Sequence, residues 1–165
     1  MDGTRCQPSI TMHELEYIGS AHGSFSVPPT ISEEMSDEDN NLPDVPPLVM
    51  VVDDDADLLQ LAKSALERNG FQVDARTKAP SWQDLVKLHP TVVFMDVELG
   101  GENGLEICKA IKENPRLSDV PVILISGHGE VRLNAEAGRC RADGFMSKPF
   151  SSRLLVQIAE HYSSN

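Results

Sequence analysis

The chain has 165 residues, which is enough for one domain with a substantial core but too few for two ordinary domains. Its formal net charge of −12 argues against a nucleic-acid surface, because a phosphate backbone would repel the protein. No apolar run approaches the roughly 18–20 residues that span a bilayer, and no signal peptide is recognisable. These features predict a cytoplasmic protein with no membrane and no direct nucleic acid binding.

The three cysteines are Cys6, Cys108 and Cys140. They are far apart, odd in number and lack a Cys-x-x-Cys pair, so they predict neither a disulfide framework nor a zinc site. Cys108 falls within a helical pattern and is expected to be a small buried apolar residue.

Residues 1–47 are predicted to form an acidic, disordered N-terminal tail. They contain nine acidic residues and one arginine, so most of the net charge belongs to this part of the chain. Such a segment cannot bury enough apolar surface to offset the entropy of ordering it. The alternative is an autoinhibitory or docking segment.

From residue 48 onward, apolar runs of strand length alternate with amphipathic helical patterns. In chain order, the prediction is a strand at 48–52, a helix at 58–66, a strand at 71–75, a helix at 82–88, a strand at 91–95, a helix at 105–111, a strand at 120–125, a weaker helix at 131–140, a strand at 144–146 and a final helix at 154–159. Trp82 is expected to pack. This alternation indicates an α/β domain with a doubly wound, five-stranded parallel sheet.

Polar side chains follow the ends of these buried strands. They are Asp53, Asp54 and Asp55 after the first strand, Asp96 after the third, Ser126 after the fourth and Lys148 past the fifth. Because ligands of such sheets bind at the carboxyl ends of the strands, these groups are expected to converge. Converging carboxylates repel one another, and a hard divalent cation such as Mg²⁺ relieves that repulsion. A lysine and a hydroxyl could then hold phosphoryl oxygens, so the set predicts phosphoryl transfer.

The segments that carry these residues are VMVVDDD, VVFMDVELGGENG, VILISG and DGFMSKPF. Over residues 48–162 they resemble the receiver domain of two-component response regulators. The resemblance implies a receiver domain at 48–165 with a flavodoxin-like (βα)5 fold and strand order 2-1-3-4-5. Because no output domain follows in this sequence, we expect a receiver that acts by binding a downstream protein partner or by passing phosphate onward.

The resemblance also implies residue roles. Asp96 would be the phosphoacceptor, receiving a phosphoryl group from a sensor histidine kinase or a phosphotransfer protein. Mg²⁺, or Mn²⁺ in its place, would be held by the carboxylates of Asp53, Asp54 and Asp96 and by the backbone carbonyl of Glu98. The catalytic residues would be Lys148 and Ser126, the switch residues Ser126 and Phe145, and the Lys148–Pro149 peptide is often cis in this family.

Two segments depart from the family pattern. Residues 99–104 replace the usual Met-Pro-x-Met-Asp-Gly, and the Gly-Gly pair is expected to make this loop more mobile and activation slower or looser. Gly127 replaces a frequent alanine. The family positions occupied by Glu98, Gly127 and His128 are associated with the lifetime of the phosphoryl group.

Two other functions stay open. A phosphatase of the haloacid dehalogenase type would use Asp53 as nucleophile and Asp55 as general acid, but Asp57 stands where that motif has threonine. A non-phosphorylated interaction module on the receiver fold usually lacks the acidic pair, the acceptor or the lysine, all of which are present here. The leading prediction is a protein that catalyses only its own phosphorylation and dephosphorylation, and is otherwise not an enzyme.

Overall fold

Five parallel strands form one sheet in the computed structural model, which describes residues 45–127 and 140–164. In chain order the elements are β1 (Leu48–Val52), α1 (Ala56–Arg68), β2 (Gln72–Arg76), α2 (Trp82–Leu88), β3 (Val92–Asp96), β4 (Glu98–Leu99), β5 (Glu102–Asn103), α3 (Gly104–Glu113), β6 (Val122–Ser126), β7 (Gly144–Ser147) and α4 (Ser152–Ser163). The sheet order is β2-β1-β3-β6-β7, while β4 and β5 form a separate antiparallel pair. Since β6 and β7 are the fourth and fifth strands of this sheet, the predicted fold and order 2-1-3-4-5 are confirmed.

The register of the sheet determines which side chains meet at its carboxyl edge. Asp96 pairs with Ile125, one residue before Ser126. Ser126 in turn pairs with Ser147, one residue before Lys148. The parallel register therefore brings the ends of β3, β6 and β7 level with one another.

Alternate residues of β1 enter two different apolar layers, one on each face of the sheet. Val49 and Val51 belong to the layer that includes side chains of α1 and α4. Met50 and Val52 belong to the opposite layer, which includes side chains of α2 and α3. All four are fully buried, and burying a side chain of this size contributes roughly 1.5–3 kcal/mol. The two layers pack the strands from both faces, and these strands carry the polar residues at their carboxyl ends.

Polar side chains begin the helices next to that edge. Asp55 is the N-cap of α1, and its Oδ1 accepts hydrogen bonds from the N–H groups of Asp57 at 2.9 Å and Leu58 at 3.1 Å. Asn103 caps α3 in the same way, accepting from Leu105 N–H at 3.0 Å. Such caps satisfy backbone donors that have no partner within the helix.

Most predicted element bounds agree with the structure to within a few residues, and α2 agrees at both ends. The strand predicted to begin at Phe71 begins one residue later, because Phe71 N–H bonds to the Leu66 carbonyl at the end of α1. Cys108 is fully buried, as predicted, whereas Trp82 is 44% exposed and the expectation that it packs was wrong. The tail up to residue 44 and residues 131–139 of the helix predicted at 131–140 lie outside the described residues.

The segment after Asp96 is a β-hairpin, in which the short strands β4 and β5 are joined by a two-residue turn. Glu98 pairs with Asn103 and Leu99 with Glu102, which leaves Gly100 and Gly101 as the turn. Their φ angles are +50° and +102°. The expectation that these glycines loosen activation stays a prediction.

Candidate functional site

Lys148 joins two of the predicted site carboxylates. Its Nζ lies 2.7 Å from Asp53 Oδ2 and 2.7 Å from Asp96 Oδ2. The backbone N–H of Lys148 donates to the Ser126 carbonyl at 2.7 Å, which attaches the lysine to the end of β6. The Lys148–Pro149 peptide is cis. The structure thus brings together side chains from three separate strand ends.

Each of the three carboxylates also accepts a hydrogen bond from a backbone N–H. Asp53 Oδ1 accepts from Asp55 at 2.9 Å, and Asp96 Oδ1 accepts from Glu98 at 3.2 Å. Asp54 Oδ2 accepts from Gly100 at 3.1 Å, across the gap between the β1–α1 loop and the hairpin. Backbone donors limit the rotation of a carboxylate, so the site is oriented by its own loops.

The geometry of these carboxylates fits a divalent cation. Asp53, Asp54 and Asp96 each place one oxygen within 4.8 Å of the others. Their three negative charges face one described lysine ammonium. Asp53 Oδ2 is buried and accepts no well-directed hydrogen bond from the described residues, although it is paired with Lys148. Hard oxygen ligands with an excess of negative charge are what Mg²⁺ and similar ions bind.

Burial and nearby charges shift the pKa values of two residues of this cluster, Asp53 and Lys148. Burial raises the pKa of Asp53 above its ordinary value, and the Lys148 ammonium opposes this shift. Burial alone would lower the pKa of Lys148, but the close contacts of its ammonium with the carboxylates of Asp53 and Asp96 outweigh it, so the Lys148 pKa is raised. Lys148 is therefore charged at neutral pH. Its ammonium does not fully offset the effect of burial on the Asp53 carboxylate, because the pKa of Asp53 stays raised.

Access to the cluster is from the Asp54 side. Asp53 is fully buried and Asp96 is 5% exposed, whereas Asp54 is exposed. A cation or phosphodonor approaching from solvent would therefore meet Asp54 first.

The predicted switch and tuning residues lie around the cluster. Ser126 is 2% exposed at the end of β6, and Phe145 on β7 is partly buried against the layer that contains α3. A Cβ added to Gly127 would meet no atom within 4 Å, so the space beside Ser126 is open. Glu98 is exposed on β4. The role of its carbonyl stays a prediction, and His128 lies outside the described residues.

Gly104 is a structural requirement of the site that the sequence analysis missed. A Cβ at this position would lie 2.0 Å from the Asp96 carbonyl oxygen, and Gly104 N–H donates to the Val97 carbonyl at 2.8 Å. The first turn of α3 therefore packs directly on the backbone of Asp96. Local sequence patterns do not signal this requirement, because it arises from the packing of the start of α3 against the end of β3.

A charged acidic cluster at the carboxyl edge of a doubly wound parallel sheet defines a class of α/β domain that binds ligands at strand ends. Within this class, the sequence profile of the response regulator receiver domain matches residues 49–160. The chain belongs to the response regulator receiver domain family.

Three comparisons illustrate this relationship. The chain is 34% identical to the nitrogen assimilation regulatory protein NtrX of Azorhizobium caulinodans, over 68% of this chain and 25% of that protein. It is 31% identical to the phosphate regulon transcriptional regulatory protein PhoB of Klebsiella pneumoniae, over 66% of this chain and 48% of that protein. The crystal structure of the receiver domain of NtrX from Brucella abortus superposes with a TM-score of 0.63 and 31% identity, covering 71% of this chain and 98% of that one.

The chain thus spans between a quarter and about half of the length of these curated relatives. Within the described residues, no helix is long and apolar enough to cross a membrane.

Proposed function

We propose that this protein is a phosphoacceptor response regulator, in which Asp96 receives a phosphoryl group and the change in charge alters binding to a partner. The observation that carries the proposal is the position of Lys148 Nζ, 2.7 Å from both Asp53 Oδ2 and Asp96 Oδ2. From that position the charged lysine can pair with the new phosphoryl oxygens on Asp96, while Asp53 stays where it is.

In the proposed reaction, a carboxylate oxygen of Asp96 attacks the phosphorus of a phosphodonor. A new P–O bond forms at Asp96 while the bond between phosphorus and the donor's nitrogen or oxygen breaks, and the donor leaves with that electron pair. The donor would be the phosphohistidine of a sensor kinase or phosphotransfer protein. Hydrolysis reverses the modification when a water oxygen attacks the same phosphorus and Asp96 departs as carboxylate.

The surrounding residues would supply position and charge, which are the main requirements of phosphoryl transfer. Lys148 would pair with one phosphoryl oxygen and Ser126 would donate its hydroxyl to another. Asp53 and Asp54, with Asp96 and the Glu98 carbonyl, would hold Mg²⁺. When bound there, that ion neutralises charge on the phosphoryl oxygens. Gly127 leaves the space beside the acyl phosphate open, which would make its lifetime sensitive to substitutions at this position.

Partner binding would follow from the same change. Drawing Ser126 toward the phosphoryl group moves the end of β6, which pairs with the strand that carries Phe145. Rotation of Phe145 would then alter the adjoining surface for a downstream protein.

The contacts of Asp55 weigh against the phosphatase alternative. Asp55, the general acid of that reaction, serves here as the N-cap of α1, with its Oδ1 accepting from two backbone donors, and this contact accounts for the residue without a catalytic role. Asp53, the nucleophile in that reaction, is fully buried. The second alternative, a non-phosphorylated interaction module, can be distinguished from the proposed function only by experiment.

The deciding experiment is incubation of the purified full chain with Mg²⁺ and acetyl phosphate, followed by measurement of intact mass. We expect a single phosphoryl addition that requires the metal and is abolished in Asp96→Ala. Asp54→Asn should require more Mg²⁺, whereas the matched control Asp57→Asn, an exposed acid three residues later in the first turn of α1, should behave as wild type. Absence of any Asp96-dependent addition across donors and metals would favour the interaction module.

A further inference from the structure

The hairpin that follows Asp96 is built around two glycines with left-handed backbone conformations. Gly100 has φ +50° and Gly101 has φ +102°, and the flanking pairs are Leu99 with Glu102 and Glu98 with Asn103. Positive φ at both central residues is what a type I′ turn requires, and glycine adopts it without a steric penalty. The Gly-Gly pair therefore specifies a tight turn at this place.

This turn contacts the exposed member of the metal-binding set. Gly100 N–H donates to Asp54 Oδ2 at 3.1 Å, between residues 46 positions apart in the chain. Among the described residues it is the only hydrogen-bond donor to the Asp54 carboxylate. Asp53 and Asp96, in contrast, are held by burial and by Lys148. Without the turn, the Asp54 side chain would sample its rotamers in water.

The hairpin is itself attached at three points. Leu99 is 2% exposed within the core layer that contains α3, and Asn103 caps that helix. Glu102 Oε2 also accepts from Ala79 N–H at 3.3 Å, which connects the hairpin to the loop before α2. A turn attached at several points can hold a side chain in a defined place.

We propose that the Gly100–Gly101 hairpin is a positioning element that holds the Asp54 carboxylate in place for a divalent cation. The inference rests on the proposed function, and it assigns this task to the segment in which the chain departs from its family's usual loop. Gly100 touches neither the cation nor the reacting atoms, so its effect passes entirely through Asp54. Removing such a partner of a metal ligand typically weakens metal affinity by about 10–100-fold.

The test compares two glycines that both have positive φ and open space where a side chain would begin, but that lie in different loops. A Cβ would meet no atom within 4 Å at Gly101 (φ +102°) or at Gly70 (φ +85°), so valine at either position imposes mainly backbone strain. Gly70 follows Asn69, the C-cap of α1, and so belongs to a different loop from the hairpin. Mg²⁺ affinity of the full chain is measured by titration calorimetry without phosphodonor, together with urea denaturation.

We expect Gly101→Val to weaken Mg²⁺ binding about tenfold or more, while Gly70→Val lowers stability and leaves Mg²⁺ affinity near wild type. In an Asp54→Ala background, Gly101→Val should produce no further loss, because the two changes remove the same interaction. If Gly101→Val does not fold, Gly101→Ala takes its place in the same comparison.

The inference is overturned if the Gly101 variant binds Mg²⁺ as wild type does, if Gly70→Val weakens binding equally, or if the losses in the double variant simply add. These outcomes concern the hairpin alone. Failure of the wild-type protein to bind Mg²⁺ would instead contradict the proposed function, so the two failures are distinguishable.

Discussion

Replacing Gly104 with alanine should disturb both the fold and the phosphoacceptor. The new Cβ would lie 2.0 Å from the Asp96 carbonyl oxygen and 3.0 Å from the Asp96 carbonyl carbon. Cβ atoms essentially never approach another heavy atom within 3.0 Å. The start of α3 and the end of β3 must therefore separate by about 1 Å, because both are backbone and neither can rotate away.

That displacement can be converted into two expected magnitudes. Forcing an extra methyl group into a tightly packed site costs about 1–3 kcal/mol, and we expect the free energy of unfolding to fall by that amount. A displacement of about 1 Å at a reacting group can slow a reaction by roughly 10²-fold. Since the displaced carbonyl belongs to Asp96, phosphorylation by acetyl phosphate should slow to a similar extent.

Urea denaturation and the rate of intact-mass change measure the two effects. Gly127→Ala is the matched control for stability, because its added Cβ meets no atom within 4 Å, and its free energy of unfolding should stay within about 0.5 kcal/mol of wild type. If Gly104→Ala keeps both the stability and the phosphorylation rate of wild type, the α3–Asp96 contact does not constrain the site and the reasoning is wrong.

Two further predictions concern groups outside the site. Lys112 Nζ donates to the Val120 carbonyl at 2.7 Å and lies 2.5 Å from Asp143 Oδ2, with 6% of its side chain exposed. Lys112→Met should therefore lower the free energy of unfolding, measured by urea titration, by about 2–3 kcal/mol. This is somewhat less than for a fully buried pair, because Asp143 is partly exposed. A loss below about 0.5 kcal/mol would contradict this prediction. Burial, with Asp143 nearby, raises the pKa of Tyr162 to about 12. Between pH 10 and that value the unfolded chain releases this proton while the folded chain retains it, so stability should fall as pH rises. Tyr162→Phe should show a shallower decline in unfolding free energy over this range, and an identical slope would refute the assignment.

The order of strands and helices followed from the sequence because its apolar patterns leave few alternatives. Runs such as LVMVV, alternating with amphipathic helical patterns, are typical of strands buried on both faces of a parallel sheet that is covered by helices. The convergence of Asp53, Asp96 and Lys148 followed as well, since parallel strands end at the same edge. The cap at Asp55 was predictable from an acidic residue before a helical pattern.

Other features depended on contacts that local patterns do not encode. Lys112 reads as an ordinary surface lysine of a helix, and its burial arises only because Val120 and Asp143 provide acceptors where α3 meets the sheet. The requirement for Gly104 appears only when the helix is packed on Asp96.

The Gly100–Gly101 pair illustrates both what the sequence determines and what depends on the tertiary structure. The sequence alone determined that the segment could take positive φ, and such a pair is a recognised turn signal. Only the tertiary structure placed Asp54 opposite the turn, across 46 residues of chain. Local composition sets which backbone conformations are accessible, whereas the register of β1 against β3 decides which loops face each other at the edge of the sheet.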